Sequence, residues 1–305
     1  MRRKLIKQGG GGGLTLYLPR KWLDARGLKP GQEVELTEVD NSLLVSTEAR
    51  LKKKEIELKL TTEGRTFIII NLNNIYRLGY DRIKAYFKTN KQADFVKEAV
   101  ENNLLGFEIT ESGKDYLVLE SVTEPSEEKQ EVLLRRMFLL IKESLDLLNK
   151  DFQAGKFQNL SAIQHLTQKV VQYNNFCKRN ISKKKFTEER ITFYWTVYTD
   201  LLLIQRSLLH LYEQLSQKQF RISKNAMSIF NSVSSSLNAL YESFYKKDVE
   251  LLRQANEGSQ SVLNKQILPA LQKSSGLESV VLYYLGEFAR LTYVATSPAL
   301  SILLQ

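Results

Sequence analysis

Residues 4–47 read KLIKQGGGGGLTLYLPRKWLDARGLKPGQEVELTEVDNSLLVST, and the order of signals in that stretch predicts a small β-rich module. A basic strand at residues 4–7 runs into the glycines at 9–13. Alternation then sets Leu14, Leu16 and Leu18 on one face and Thr15 and Tyr17 on the other. Pro19 closes this strand, since a residue without an N–H fits a strand end better than its middle. Residues 20–26 suffice for two helical turns, and Gly27 stands where a helix stops in the left-handed region. Pro30-Gly31 makes a turn. Residues 32–38 alternate again, with Val34 and Leu36 inward and Glu33, Glu35 and Thr37 outward. Asp40-Asn41 turns the chain into a last strand at 42–47. The glycine run reads as a flexible loop or a place of close backbone approach. No Gly-Lys-Ser/Thr follows it, so it is not a nucleotide-binding loop.

Outside this stretch the totals set bounds. The chain has 305 residues, 43% of them hydrophobic, and a formal net charge of +10. That length suggests two or three domains. The charge favours a polyanionic partner, nucleic acid first and an acidic membrane surface second. Cys177 is the only cysteine, so no internal disulfide forms, and His165 and His210 cannot build a His/Cys zinc site. The basic start runs into glycines rather than an apolar segment, so no signal peptide is read. No apolar run reaches the ~20 residues needed to span a bilayer. A soluble, cytoplasmic protein without membrane insertion is expected.

The remainder divides in two. RLKKK at 50–54 reads as a basic connector, residues 56–60 as a short strand, and TFIIINL at 66–72 as a buried strand, being a β-branched run. Asn73 or Asn74 caps a short helix ending near Gly79. Residues 81–88 alternate. Asn90 caps a helix over 91–105 that Gly106 ends, and residues 107–110 and 116–122 form a hairpin. Beyond Glu124-Pro125-Ser126 the chain reads as helix almost throughout. The first of these helices starts near Glu127 and Glu128, and the second covers about 160–180. A basic loop, KRNISKKK, occupies 178–185. Thr187, with Glu188 and Glu189, caps a helix to about 217. Ser223 starts one ending near 256–258, Ser259 starts a shorter one interrupted at Pro269, and the last runs from 277 to about 295, where Ser297-Pro298 ends it. Long antiparallel helices on short connections predict a bundle.

The motif LTLYLPRKWLDARGLKPGQEVEL, followed by a DN turn and a hydrophobic strand, resembles the AbrB/MazE/SpoVT family of swapped-hairpin transcription factors. The resemblance implies that two chains interleave their hairpins into one dimeric barrel. Physics points the same way, because about 45 residues with no disulfide or metal bury little core alone. The helical part resembles PhoU, a regulator built from repeated three-helix units. With the phrases Leu78-Gly79-Tyr80-Asp81 and Leu105-Gly106-Phe107-Glu108 between them, the whole order resembles archaeal PhoU-type regulators. The expected architecture is therefore multidomain α+β. It comprises a swapped-hairpin module at 1–48, a small α/β spacer or dimerisation unit at 49–123, and a PhoU-like antiparallel helical bundle at 124–305.

Where many members of the first family carry an arginine before the strand, this chain has glycines and Leu14. The cations left for DNA are Arg2, Arg3, Lys4, Lys7, Arg20, Lys21 and Arg26. PhoU-type metal helices carry a phrase close to Asp-Leu-Glu-Arg-Ile-Ala-Asp. The comparable stretches, DLLLIQR at 200–206 and YLGEFAR at 284–290, put arginine at the last acid, so no metal cluster or other cofactor is expected. Arg206 and Arg290 are candidates for holding an anion such as phosphate, against the plainer reading in which each pairs with Asp200, Glu287 or another local acid. Trp195, Phe193, Tyr194 and Tyr198 read as bundle core. No catalytic set is apparent, so an enzyme is not expected. Two functional readings stand: a homodimeric DNA-binding regulator of phosphate uptake whose helices bind an effector or partner protein, or a PhoU-like signalling adaptor whose module only dimerises.

Overall fold

The computed structural model describes residues 3–7, 13–39, 42–47, 53–122, 129–183 and 191–304. The chain forms two compact units, Met1–Lys52 and Lys53–Gln305.

In the first unit, β1 (Ile6–Lys7) pairs antiparallel with β2 (Leu14–Thr15), setting Ile6 opposite Thr15. Helix α1 (Arg20–Asp24) begins at Pro19, whose carbonyl accepts the amides of Trp22 at 2.9 Å and Leu23 at 3.1 Å. Gly27 takes φ +63° and ends the turn that follows. Strands β3 (Val34–Val39) and β4 (Ser42–Thr47) pair antiparallel, from Val34 opposite Thr47 to Val39 opposite Ser42. Arg2, most of the glycine run and the Asp40-Asn41 turn lie outside the described residues. Among the described residues the expected inward faces are partly uncovered, Leu18 and Val34 being half-buried. Leu14 and Leu36 are each 58% exposed, because two-stranded ribbons this short have nothing stacked on them.

The second unit opens with a four-stranded sheet of β5 (Glu55–Lys59), β6 (Arg82–Tyr86), β7 (Phe107–Ser112) and β8 (Tyr116–Ser121), in the order β5-β6-β8-β7. β5 and β6 are parallel and the other pairs antiparallel. A parallel pair needs a crossover, and helix α2 (Arg65–Arg77) supplies it. This corrects the reading of TFIIINL as a strand. Ile68, Leu72, Ile75 and Tyr76 are buried while Phe67 and Ile70 are exposed, a helical spacing that only the topology imposes on a β-branched run. Helix α3 (Asn90–Asn103) is capped by Thr89 in a capping box with Gln92, one residue before the expected Asn90. Ile83, Ala85, Leu117 and Leu119 of the sheet pack with Ile68, Leu72, Val96 and Ala99 of the two helices. The two Leu-Gly-aromatic-acid phrases do the same job twice. Gly79 (φ +79°) turns α2 into β6, and Gly106 (φ +80°) turns α3 into β7.

The helices that follow are α4 (Lys129–Ala154), α5 (Leu160–Lys183), α6 (Ile191–Leu215), α7 (Lys224–Lys246), α8 (Val249–Ser261), a π-helical segment Val262–Ile267, α9 (Leu268–Leu271) and α10 (Gly276–Leu303). Helices α4, α5 and α6 pack on one another, as do α7, α8 and α10. The pairs α6–α10 and α4–α7 join the two groups around one continuous apolar core. Ser223 caps α7 as expected, whereas Thr187, Glu188, Glu189 and the 123–128 connection lie outside the described residues.

Three helix boundaries differ from expectation. The single helix read from Ser223 to Gly258 breaks at Lys247 (φ +50°), and Asp248 caps α8 by accepting the amides of Glu250 and Leu251. Gly258 sits inside α8, where a Cβ would come within 2.9 Å of Ser236 Oγ on α7. Pro298 does not end α10. It is buried with Ala295, Ala299 and Ile302, whose packing carries the helix one more turn. Around Pro269 the chain widens into the π-helical segment, with the Leu268 amide donating to Leu263.

Candidate nucleic-acid interface and a cation cluster in the body

In the first unit the cations expected to meet DNA are exposed. Arg3, Lys4 and Lys7 lie at and before β1, Arg20 and Lys21 begin α1, and Arg26 follows it. Two of them have local partners. Arg20 Nε is 3.0 Å from Asp24 Oδ1 one turn on, both side chains well exposed, and the Arg26 guanidinium lies 4.4 Å from the centre of the Trp22 ring. An exposed i, i+4 pair holds weakly and yields easily to a phosphate. Around these cations lie Leu5, Ile6, Leu14, Leu16, Tyr17, Leu36 and Leu43, all exposed apolar side chains. A cation-rich surface and an uncovered apolar surface thus occur together in about 50 residues, too few to build a core alone.

In the second unit the basic phrase at 178–185 is not a loop. Through Lys183 it is the last turn and a half of α5, and Lys178 and Arg179 are buried. The long side chain of Arg179 crosses to the end of α2. It donates to the carbonyls of Tyr76 at 3.2 Å and Tyr80 at 2.5 Å, and to Asp81 Oδ1 at 2.8 Å. Its guanidinium also lies 5.0 Å from the Tyr76 ring and 4.9 Å from the Phe107 ring. A cation at a helix C-terminus meets both unsatisfied carbonyls and the negative end of the dipole. Lys183 Nζ joins Asp81 Oδ1 at 2.6 Å, and the Lys54 amide donates to Asp81 Oδ2 at 3.0 Å. Burial pushes the Asp81 carboxyl up, but Lys183, Lys54 and Arg179 together outweigh it and hold the group below the usual carboxylate range. Gly79 completes this corner, since any Cβ there would come within 2.9 Å of Lys183 Cγ.

One turn earlier on α5 the contacts turn neutral. Asn175 Oδ1 accepts both Nε (2.9 Å) and Nη2 (2.6 Å) of Arg77, while its Nδ2 donates to Asn73 Oδ1 and Asn103 O. Asn174 donates to the same Asn175 Oδ1. Lys178 Nζ donates to Thr199 Oγ1 on α6 at 2.6 Å and lies 5.1 Å from the Trp195 ring. Burial, then the charges of Arg77 and Arg206, bring Lys178 down to about 7, against the pull of Asp200. Burial lifts Asp200 to about 6, opposed by Lys178 and Arg290.

The pair Arg206 and Arg290 is not shared as a single fork. Arg290 is engaged on its own helix, with Nη2 3.0 Å from Glu287 Oε1. Arg206 is exposed, and its charge acts on Arg77 and Lys178. Sequence reasoning missed Arg77, Asn175 and the burial of Lys178. Two adjacent asparagines in mid-helix were the available signal, since asparagine is a poor helix former kept there for a polar contact.

The remaining candidates are structural. Tyr198 is buried, and Phe193, Tyr194 and Trp195 pack against the bundle core. Burial raises the Cys177 thiol to about 12, so it is no nucleophile. The rings of Tyr241 and Tyr245 are faced by Lys142 at 4.6 Å and Arg135 at 5.0 Å from α4. Tyr245 also lines a cleft of about 290 Å³ with Leu134, Tyr194 and Phe244. Among the described residues no three His, Cys, Asp or Glu side chains gather as metal ligands, and no helix is long and apolar enough to cross a membrane.

Neither protein-family models nor the curated proteins nor the solved structures contain a match to this chain.

Proposed function

We propose that the chain is a homodimeric DNA-binding transcriptional regulator, with residues 1–48 as its DNA-binding module. One observation carries the reading: in the first unit Leu14, Leu16, Leu36 and Leu43 stand uncovered beside exposed Arg3, Lys4, Lys7, Arg20, Lys21 and Arg26. A second copy laying its own hairpins on these leucines buries them and doubles the cationic surface about a two-fold axis. Such symmetry matches a near-palindromic DNA site. Lysines and arginines meet phosphates first, so affinity falls steeply with salt. The helical body then serves an effector or partner protein. Its two three-helix groups are of the kind the PhoU resemblance implies, which makes phosphate uptake the physiological theme. The test is a gel-shift series over salt on the Arg20→Ala, Lys21→Ala double variant. Loss of two phosphate contacts per protomer, four per dimer, lowers the salt slope by about 3.6, and an unchanged slope and affinity would remove these residues from the interface.

The adaptor reading is kept for a specific reason: Arg20 is held by Asp24 and Arg26 by Trp22, so part of the cationic set is already engaged. Deleting residues 1–48 separates the two. Loss of DNA binding with partner binding retained supports the regulator, and loss of dimerisation alone supports the adaptor.

A further inference from the structure

Some buried or half-buried cations in the second unit have a carboxylate. Arg179 and Lys183 share Asp81, and Arg82 has Glu120 at 3.0 Å. Half-buried Arg77, buried Lys178 and exposed Arg206 have none within ion-pair distance among the described residues. Arg77 donates to the amide oxygens of Asn175 and Asn74, Lys178 to the Thr199 hydroxyl, and Arg206 has no hydrogen bond or ion pair among the described residues. The three are near neighbours. Arg77 and Asn174 share Asn175 Oδ1, and Asn174 and Lys178 are one turn apart on one face of α5. Lys178 reaches Thr199, and Arg206 follows two turns later on that face of α6. Arginine cannot relieve such crowding by losing its proton. The one carboxylate whose field reaches Lys178 is Asp200.

Two buried oxygens lack a donor: Asn174 Oδ1, whose amide nitrogen meets the Asn175 oxygen that Arg77 also uses, and Asp200 Oδ2, whose carboxylate faces the charges of Lys178 and Arg290. Asn174 is fully buried and Asp200 is 5% exposed, so each of these oxygens is desolvated without a hydrogen bond. A ligand that suits the whole group carries negative charge for the cations and at least one O–H for the orphan acceptors. Hydrogen phosphate has both. Sulfate, fully deprotonated at neutral pH, has the charge without the proton.

We propose that Arg77, Lys178 and Arg206, with Asn174 and Asp200 as proton acceptors, form a receptor for a tetrahedral hydrogen-phosphate group, as inorganic phosphate or a phosphate monoester. Arg206 is exposed and Arg77 half-buried, so the group enters from their side and Lys178 lies at the closed end. The site joins the end of α2 to the α5–α6 pair, and its occupancy ties the sheet-bearing part of the unit to the helices. The inference concerns the second unit alone and stands without the DNA-binding reading.

The test is isothermal titration of the full chain, with no DNA present, using inorganic phosphate, glycerol 3-phosphate and sulfate. Saturable binding of at least one phosphate is expected. It should be weakened about tenfold or more in Arg206→Gln and in Arg77→Gln, the loss of a charge-assisted contact, and unchanged in Arg253→Gln, an exposed cation of α8 paired with Glu250 and Glu257. Sulfate should bind at least about tenfold more weakly than phosphate in the native chain, and Asp200→Asn should narrow that gap. The tighter of the two phosphates identifies the source as free anion or ester. Should Arg77→Gln disturb folding, judged by its melting curve, the exposed Arg206→Gln decides alone. The proposal fails if neither phosphate binds saturably, if Arg206→Gln binds as the native chain does, or if Arg253→Gln weakens binding equally. Sulfate binding as tightly as phosphate removes Asn174 and Asp200 from their assigned role.

Discussion

The two units of this chain solve the burial problem in opposite ways. In Lys53–Gln305, side chains such as Ile68, Ile83, Phe138 and Leu237 are fully enclosed by their own chain. In Met1–Lys52, leucines that alternate as a core face should are 43% to 58% exposed, as at Leu16, Leu14 and Leu36. Both regions have clean periodicity, so periodicity alone does not say who covers an apolar face. What differs is the number of layers. The body stacks helices on a sheet and helices on helices, while the module has two separate ribbons and a five-residue helix. A fold with one layer needs a partner to supply the second.

The sharpest way to break this contrast is Leu36→Asp. A charge on the expected dimer face should turn the chain monomeric in light scattering and lower DNA affinity by orders of magnitude, while the body's melting transition stays put. If dimer and DNA binding survive, the exposed leucines are not the interface. Next in size is the body's own anchor. Arg179→Met leaves Asp81 short of a partner and the Tyr80 carbonyl without its guanidinium donor, while Tyr76 keeps the Gly79 amide, for a loss of about 3–5 kcal/mol in denaturant unfolding, with dimerisation unchanged.

A smaller effect belongs to Lys178. Its folded value is about 7 against an ordinary 10.5. Between those values the unfolded chain binds more protons, so stability should rise with pH across that window by at most about 1.4 kcal/mol per pH unit. Asp200, at about 6 against an ordinary 3.8, acts in the other sense: the folded state binds more protons between those values, so stability falls as pH rises through them. Together they place the minimum of their joint contribution between pH 6 and 7. The groups acting on Lys178 are Arg77, Arg206 and Asp200. Lys178→Met should flatten the slope above pH 7 in urea titrations run at successive pH values, and an unchanged slope would show that Lys178 titrates normally. The smallest effect is expected at Arg20→Ala, where loss of an exposed pair should change stability by under about 0.5 kcal/mol.

Much of the α+β layout was legible from local chemistry. Gly27, Gly79 and Gly106 stop helices because they alone accept the left-handed backbone cheaply, Ser223 caps because its hydroxyl takes an orphan amide, and Ile83 and Ala85 alternate inward on a half-buried strand. The failures share a different cause. Helix α2 was hidden because its isoleucines favour a strand and only the parallel β5–β6 pair demands a helix. Lys178 and Arg179 fall in the expected basic loop because a basic run usually marks one, and their burial depends on Asp81 and Thr199, which the local run does not contain. The continuation of α10 through Pro298 rests on packing partners no local window contains. In the candidate anion site, Arg206 could be singled out from its place in the helix phrase, but Arg77 could not, since its neighbours come from α5 and α6. The leucines of the module were expected to face inward, and Leu14, Leu16 and Leu36 stand exposed because the described residues of this unit form no second layer over them.

The Arg179 contacts have a consequence for synthesis. The carbonyl of Tyr80 receives the guanidinium from 99 positions downstream, and that of Tyr76, already held by the Gly79 amide at 3.0 Å, takes a second donor from 103 positions downstream. While the nascent chain leaves the ribosome, the sheet and its two helices emerge well before α5, so the Tyr80 carbonyl and the Asp81 carboxylate stay without this cation until the guanidinium arrives. A polypeptide halted near residue 122 would therefore carry that corner without Arg179 and Lys183.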